Sequence, residues 1–301
     1  MEPESTRCGF VAVIGAPNAG KSTLVNRLVG TKVSIVSRKV QTTRSIVRGI
    51  AIAGRSQIVF VDTPGIFAPR RRLDRAMVDT AWGGARDADL VVVMIDASRG
   101  LAPEVTDLLG RLGDVPQPKI LLLNKVDLVK REVLLEMAAE ANRLATFRET
   151  FMVSAATGDG LDAFLAHLAA AVPEGPWLYP EDEVSDVPLR QLAAEITREK
   201  LFERLHQELP YQATVETEQW TDQKDGSARV EQTIYVTRDS HKKIVIGKGG
   251  ASIKSISTAA RKEIAEIAER PVHLFLFVKV REKWVDDPER YRAMGIEFPR
   301  D

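Results

Sequence analysis

Several short patterns in this chain have the residue types and spacing to handle a nucleotide. Gly15-Ala16-Pro17-Asn18-Ala19-Gly20-Lys21-Ser22 reads G-x-x-x-x-G-K-S. At that spacing the glycines let the backbone bend and turn successive N–H groups onto phosphate oxygens; the lysine reaches the β- and γ-phosphates and the serine hydroxyl can ligate Mg2+. Thr23 continues the pattern into the next turn. About 40 residues on, Asp62-Thr63-Pro64-Gly65 offers a carboxylate that suits the Mg2+ site through a coordinated water, and a side-chain-free N–H for a γ-phosphate. Asn124-Lys125-Val126-Asp127 adds base selectivity. The Asp127 carboxylate can accept both the N1–H and the exocyclic amine of guanine, a donor pair that adenine lacks. Lys125 would lay its stem along the base, and Asn124 would tie loops together. Ser154-Ala155-Ala156 places the Ala155 N–H for the guanine O6. Between the first two patterns lies Gln41-Thr42-Thr43-Arg44. One of its threonines, with Thr43 the candidate, could close over the nucleotide with its hydroxyl on Mg2+ and its N–H on the γ-phosphate. The candidate catalytic residues are therefore Lys21, Thr43, Gly65 and Asn18, and the candidate metal ligands are Ser22, Thr43 and Asp62.

These patterns need elements to hold them, and the apolar runs supply them. Phe10 to Ile14 reads as a buried strand leading into the first loop, and Leu24, Val25 and Leu28 start a helical stripe after it. Ile58 to Val61 ends at Asp62, Ile120 to Leu123 ends at Asn124, and Phe151 to Val153 ends at Ser154. Leu90 to Ile95 is continuously apolar, as a central parallel strand covered on both faces should be. Helices are expected over Glu132–Leu144 and Gly160–Ala171, and Ser34 to Arg48 reads as loop. Strands alternating with helices give a doubly wound, mostly parallel α/β domain.

The 301 residues suffice for about two domains. Apolar and charged shares of 44% and 28% fit a globular protein. No run reaches the roughly 18 apolar residues of a membrane span. The first ten residues, MEPESTRCGF, carry neither an apolar core nor a cleavage site, which points to the cytoplasm. Cys8 is the sole cysteine, which excludes an internal disulfide and a cysteine-based zinc site and reads as a partly buried small residue. Formal net charge is zero, so any affinity for nucleic acid has to come from local clustering.

Such a cluster lies in the second half. After a proline-rich acidic stretch from Pro173 to Pro188, which reads as an interdomain linker that packs through Trp177 and Tyr179, a helix is expected from Leu189. Its apolar stripe runs through Leu192, Ile196, Leu201, Phe202, Leu205 and Leu209 and closes at Pro210. Two strands follow, marked by Ala213, Val215 and Thr217 and by Val230, Ile234 and Val236, with Asp225-Gly226 as the turn between them. Gly247-Lys248-Gly249-Gly250 then opens a helix carrying Ile253, Ile256, Ala260, Ile264 and Ile267, and Val272 to Val280 closes as a strand. Arg238 to Lys262 holds seven basic residues against one acid, Asp239. Bare glycines admit phosphates and nearby cations attract them, so Lys243, Ile246, Gly247, Lys248, Gly249, Gly250, Lys254 and Arg261 are the candidate RNA-binding residues. The histidines His167, His206, His241 and His273 show no ligand spacing.

The five nucleotide motifs in this order resemble the translation-factor-like small GTPases, and the Pro-Asn-x-Gly-Lys-Ser loop with its Thr-Thr-Arg segment resembles their TrmE–Era group. The Ile-Gly-x-x-Gly stretch is similar to the core of a type II KH domain. Pro176-Trp177-x-Tyr179-Pro180, Arg198-Glu199-Lys200 and Glu208-Leu209-Pro210-Tyr211 are similar to the ribosome-assembly members of that group. The implied organisation is a P-loop GTPase domain over 1–174, a linker over 175–190 and an α+β KH domain over 191–301. The resemblance implies GTP/GDP and Mg2+ as ligands. It also implies binding to the 3′ region of 16S rRNA on the 30S subunit during maturation, peripheral contact with the inner membrane, and a monomer. One residue departs from the Ras-like pattern: Ile66 stands where those enzymes carry a water-positioning glutamine, and it cannot orient water. Relatives with asparagine at the Asn18 position use K+ as an extra cation, so Asn18 is expected to help hold K+. Three rivals fit less well. A tRNA-modifying GTPase of the TrmE type needs a C-terminal cysteine. An RNA-binding module with a merely regulatory nucleotide site would be expected to lose Lys21, Ser22 or Asp127. A transport-linked G protein needs membrane spans.

Overall fold

Every residue of the strand Leu90–Asp96 is buried, because helices cover both faces of the sheet it centres. In the computed structural model, which describes residues 5–205, 209–282, 284 and 287–299, the chain falls into two units. The first holds β1 (Arg7–Gly15), β2 (Val47–Ala53), β3 (Ser56–Asp62), β4 (Leu90–Asp96), β5 (Lys119–Asn124) and β6 (Glu149–Val153). Their order across the sheet is β2-β3-β1-β4-β5-β6, with only β2 antiparallel. Helices α1 (Lys21–Val29) and α5 (Leu161–Ala171) cover one face through Leu24, Val25, Phe164 and Leu168. Helices α2 (Arg72–Asp87), α3 (Pro103–Gly110) and α4 (Arg131–Leu144) cover the other through Ala81, Trp82, Leu108 and Met137. A fully buried large apolar side chain contributes about 1.5–3 kcal/mol, so these two layers hold the parallel strands firmly in register. That register brings the carboxyl ends together: Val13 pairs with Asp62, Gly15 with Met94, Asp96 with Asn124 and Asn124 with Val153. The strand order reverses between β1 and β4, the place where open α/β sheets bind ligands.

The second unit comprises α6 (Leu189–Arg204), β7 (Ala213–Asp222), β8 (Ala228–Val236), α7 (Asp239–Ile246), α8 (Ala251–Ile267), β9 (Val272–Val280) and α9 (Pro288–Ala293). β7 and β8 pair antiparallel and β8 and β9 parallel. Its core joins Leu201, Phe202 and Ile196 of α6 to Ala260 and Ile264 of α8 and to the inner face of the sheet. This is the expected type II KH order. Two segments group apart from their chain neighbours: Ile35–Thr42 belongs to the second unit and residues 294–299 to the first.

The connector packs on the first unit, as its aromatic residues suggest. The buried Gln57 side chain donates to the Tyr179 carbonyl at 2.8 Å and accepts the N–H groups of Leu178 and Tyr179, while Trp177 Nε1 donates to the Arg55 carbonyl. Cys8 is buried, with Sγ 3.5 Å from Gln57 Oε1.

Two local expectations need correction. The stretch read as loop up to Arg48 ends earlier, because Val47 and Arg48 already pair in β2 with Asp62 and Val61. Helix α6 stops at Arg204; Leu205 is extended, and Leu209 lies in a separate short 3-10 turn, Leu209–Gln212. Glu208 and His206 lie outside the described residues. Among those described, no helix is long and apolar enough to cross a membrane.

Candidate active site

The loop after β1 closes a tight arc. Gly20 adopts φ +102°, and a Cβ there would lie 2.4 Å from the Asn124 side-chain nitrogen. Gly65 sits so close to Pro17 that a Cβ would meet its Cα at 2.9 Å. Both positions therefore require glycine, one for backbone angle and contact and one for contact alone. Asn18 is also left-handed, at φ 63°. Lys21 starts α1 and is buried; its ammonium donates to the carbonyls of Gly15 and Ala16, each at 3.1 Å. Burial lowers its pKa to about 8, against the pull of the nearby Asp62 charge.

Ser22, Thr43 and Asp62 converge. Ser22 Oγ lies 2.7 Å from Asp62 Oδ2 and 2.9 Å from Thr43 Oγ1. Burial pushes the Asp62 carboxyl up, while the Ser22 hydroxyl and the Lys21 ammonium pull it down. Asp62 Oδ1 is buried with no hydrogen-bond partner among the described residues. A buried carboxylate oxygen without a partner is costly, and the hydroxyls of Ser22, Ser34 and Thr43 beside this carboxylate are hard oxygen donors, the ligand type of Mg2+. The donor set fits that ion. The two threonines divide: Thr43 faces Ser22, whereas the Thr42 hydroxyl donates to the Lys39 carbonyl.

Sequence spacing missed Ser34, whose buried hydroxyl donates to Asp62 Oδ2 at 2.7 Å. No motif marks it; the Asn26 side chain places it by accepting the N–H groups of Val33 and Ser34. The side chain of Ile66 packs in the core beside Val78 and Ala81, and its N–H donates to the Gly15 carbonyl at 3.0 Å. Thr63 is committed inward, its hydroxyl on the Val13 carbonyl at 2.8 Å.

Asn124 links two loops, donating to the Ala19 carbonyl at 2.8 Å and accepting the Ala155 N–H at 2.9 Å. That second bond places the buried Ala155 N–H, expected to serve guanine, on the Asn124 side chain, as buried donors need a partner. Ser154 likewise turns its loop, its hydroxyl accepting the Thr157 N–H. Lys125, left-handed at φ 64°, is held by Asp96 Oδ2 at 2.6 Å and by the Asn18 carbonyl at 2.9 Å. Asp96 is the second residue that sequence reading passed over. Its place at the carboxyl end of a central strand is the signal that could have found it. The Asp127 side chain is exposed.

In the second unit, α7 and α8 flank the loop Gly247–Gly250, in which Gly247, Gly249 and Gly250 all have positive φ. Lys243, Lys248, Lys254 and Arg261 are exposed. Lys254 and Arg261 border a surface groove of about 610 Å³ along α8 that also includes Ala251 and Lys262. Ile246, expected to meet bases, is half-buried against the core, whereas Ile244 is 55% exposed.

A phosphate loop and guanine-type loops at the carboxyl edge of such a sheet define a P-loop GTPase, and a glycine loop between two helices on a three-stranded sheet defines a KH domain. A family model described as a 50S ribosome-binding GTPase matches residues 10–125, and one described as a KH domain matches residues 208–285. GTPase Era of Sinorhizobium medicae is 68% identical over 295 residues, covering 98% of this chain and 95% of that protein. The Era protein of Afipia carboxidovorans is 66% identical over 296 residues, covering 98% and 96%. The crystal structure of Era in complex with MgGDPNP and nucleotides 1506–1542 of 16S ribosomal RNA superposes with a TM-score of 0.91 at 37% identity, over 96% of this chain and 99% of that one. The chain belongs to the Era family of GTPases and is a GTP-hydrolysing enzyme.

Proposed function

We propose that this enzyme is a GTP-driven switch that binds the 3′ region of 16S rRNA and assists assembly of the 30S subunit. Residues 1–174 form the nucleotide-binding part, 175–190 the connector and 191–301 the RNA-binding part, apart from the two segments that pack with the opposite unit. The observation that carries this reading is the convergence of Ser22 and Thr43 on Asp62, whose second oxygen is buried and has no partner among the described residues.

The backbone N–H groups of 15–22 would cradle the phosphates, with Lys21 swinging from its carbonyl partners to the β- and γ-oxygens. Ser22, Thr43 and Asp62 would hold Mg2+, whose charge offsets the negative charge that builds on the phosphoryl oxygens. Asp127 selects guanine, and Lys125 and Asn124 hold its loop. With Ile66 turned into the core, Lys21 and the Gly65 N–H stabilise charge without a side chain to orient water, and Asn18 helps hold K+ as an additional cation. In the KH part, Gly247–Gly250 admits the RNA backbone, and Lys243, Lys248, Lys254 and Arg261 attract it. Similarity to Era bound to MgGDPNP and 16S ribosomal RNA supports both halves of this reading, and the family resemblance adds peripheral contact with the inner membrane.

Depleting the protein from its cell tests the ribosomal assignment. Sucrose-gradient profiles should lose 30S subunits relative to 50S, and 16S rRNA with immature ends should accumulate; unchanged profiles would overturn it.

A further inference from the structure

Helix α1 serves the Asp62 carboxylate twice. Ser22, in its first turn, donates to Asp62 Oδ2 at 2.7 Å. Asn26 stands one turn further on, and residues at that spacing share a helix face. Gly30 caps α1 at φ +85°, with its N–H on the Asn26 carbonyl. This left-handed cap turns the chain back, and Val33 and Ser34 then pass beside the Asn26 side chain. Three bonds hold them there. Asn26 Oδ1 accepts the N–H groups of Val33 at 2.9 Å and Ser34 at 3.0 Å, and Nδ2 donates to the Ser34 carbonyl at 2.7 Å. Val33 packs in the core with Leu24 and Val25 of the same helix, and Ser34 is 3% exposed. Every link of this chain lies within the first unit.

Ser34 is therefore a fixed donor, and its hydroxyl stands 2.7 Å from Asp62 Oδ2. The carboxyl torsion of an aspartate is broad and roughly two-fold, so the backbone of β3 does not by itself decide which oxygen lies where. Here Oδ2 accepts two hydroxyls, which occupies its lone pairs, and turning the carboxyl would break both bonds inside a buried site. The oxygen left over is Oδ1, buried and with no partner among the described residues. The two hydroxyls are not equivalent. Ser22 is itself a proposed metal ligand and also meets Thr43 Oγ1 at 2.9 Å. Ser34 gives its hydroxyl to Oδ2 and its backbone to Asn26.

We infer that Asn26 and Ser34 are positioning residues for the Mg2+ site: through one hydroxyl they hold Asp62 Oδ2, so that Oδ1 is left for the ion. The inference rests on the role proposed above for Asp62. Hydrogen-bond partners of a ligating carboxylate govern how well it meets its metal. Since Ser22 and Asn26 ride on one helix, a single rigid element places both a ligand hydroxyl and the anchor of the ligand carboxylate.

Release of mant-GDP from the full-length protein, followed by fluorescence against free Mg2+, tests this without turnover. An ion that bridges protein and phosphate slows release, so the midpoint of the titration reports Mg2+ affinity. Mant-GDP affinity in EDTA reports the metal-free site. Ser34→Ala and Asn26→Ala should each raise the midpoint about tenfold, the lower end of the range for such partners, while affinity in EDTA stays near the wild-type value. Asp62→Ala should raise the midpoint further, and adding Ser34→Ala to it should change nothing more, because the carboxylate through which Ser34 acts is gone. A wild-type midpoint in Ser34→Ala, with Asp62→Ala raised, would overturn this inference alone. An equal loss with and without Mg2+ would also overturn it, by marking a merely structural hydroxyl, and so would a further rise in the double variant, by marking Ser34 as a ligand. A wild-type midpoint in Asp62→Ala would overturn the metal reading beneath it. Should Ser34→Ala fail to fold by circular dichroism, Ser34→Cys, whose thiol is a weak donor, decides by the same criteria.

Discussion

Thr43 Oγ1 stands 2.9 Å from Ser22 Oγ, and Ser22 Oγ in turn stands 2.7 Å from Asp62 Oδ2. A loop residue, the first turn of a helix and the end of a strand thus share one oxygen cluster. Thr42, its neighbour, is turned the other way, with its hydroxyl on the Lys39 carbonyl. The pair can be told apart by kinetics.

Thr43→Ala should lower kcat about 10²-fold, the scale of losing one preorganised polar group at a charge-developing site. Thr42→Ala, which removes a hydroxyl directed at local backbone, should stay within a few-fold of wild type. The reverse ranking in a single-turnover GTP hydrolysis assay would contradict the assignment.

Asp127→Asn should exchange base preference. Its amide offers one acceptor and one donor, which matches the N1–H and C2 carbonyl of xanthine and mismatches the two donors of guanine. Competition binding should show GTP affinity reduced and XTP affinity raised, so that the preference inverts. Continued preference for GTP would place the selecting contact elsewhere.

Lys21 makes nucleotide affinity depend on pH. Burial lowers its pKa to about 8, so at pH 7 the ammonium is already in place, and above pH 8 phosphate binding has to recruit a proton. The sign is therefore weaker binding as pH rises, by about fourfold between pH 7 and 8.5 by linkage. Calorimetry in buffers of different ionisation heat should show proton uptake near zero at pH 7 and growing above 8. Affinity that is flat over this range would show that Lys21 stays charged without nucleotide.

If Asn18 helps to hold K+, hydrolysis should be faster in KCl than in NaCl at equal ionic strength, and Asn18→Ala should erase the difference. Equal rates for the wild type would remove K+ from the account.

In the KH unit, Lys248→Ala combined with Lys254→Ala should weaken binding of a single-stranded RNA oligonucleotide. Each lysine lost should also flatten the plot of log affinity against log salt by about 0.7. An unchanged slope would mean that these lysines do not touch phosphate.

The central strands and the loops at their ends were legible because their signals are local. Leu90–Asp96 is apolar throughout since it is covered on both faces, and each motif stands directly after such a run. Other features depend on partners far away in the chain. Ser34 serves Asp62 across 28 residues, and Arg198 reaches Thr42 across 156, so no spacing rule reveals either. β2 escaped because R-G-I-A-I-A is a short edge strand with a glycine inside it. The helix expected to run on to Leu209 ends at Arg204, because apolar spacing alone does not mark where backbone bonding stops. The bond from the Ala155 N–H to the Asn124 side chain links two motifs 31 residues apart, and no spacing within either motif reveals it.

If nucleotide state governs RNA binding, the GDP and GTP forms must differ in their affinity for RNA. Affinity for a 16S 3′-end oligonucleotide is measured by fluorescence anisotropy on the full-length protein, saturated with either GDP or GDPNP in Mg2+ at fixed salt. Binding should be tighter with GDPNP, with Thr43→Ala narrowing the gap. Equal affinities in the two states would contradict it.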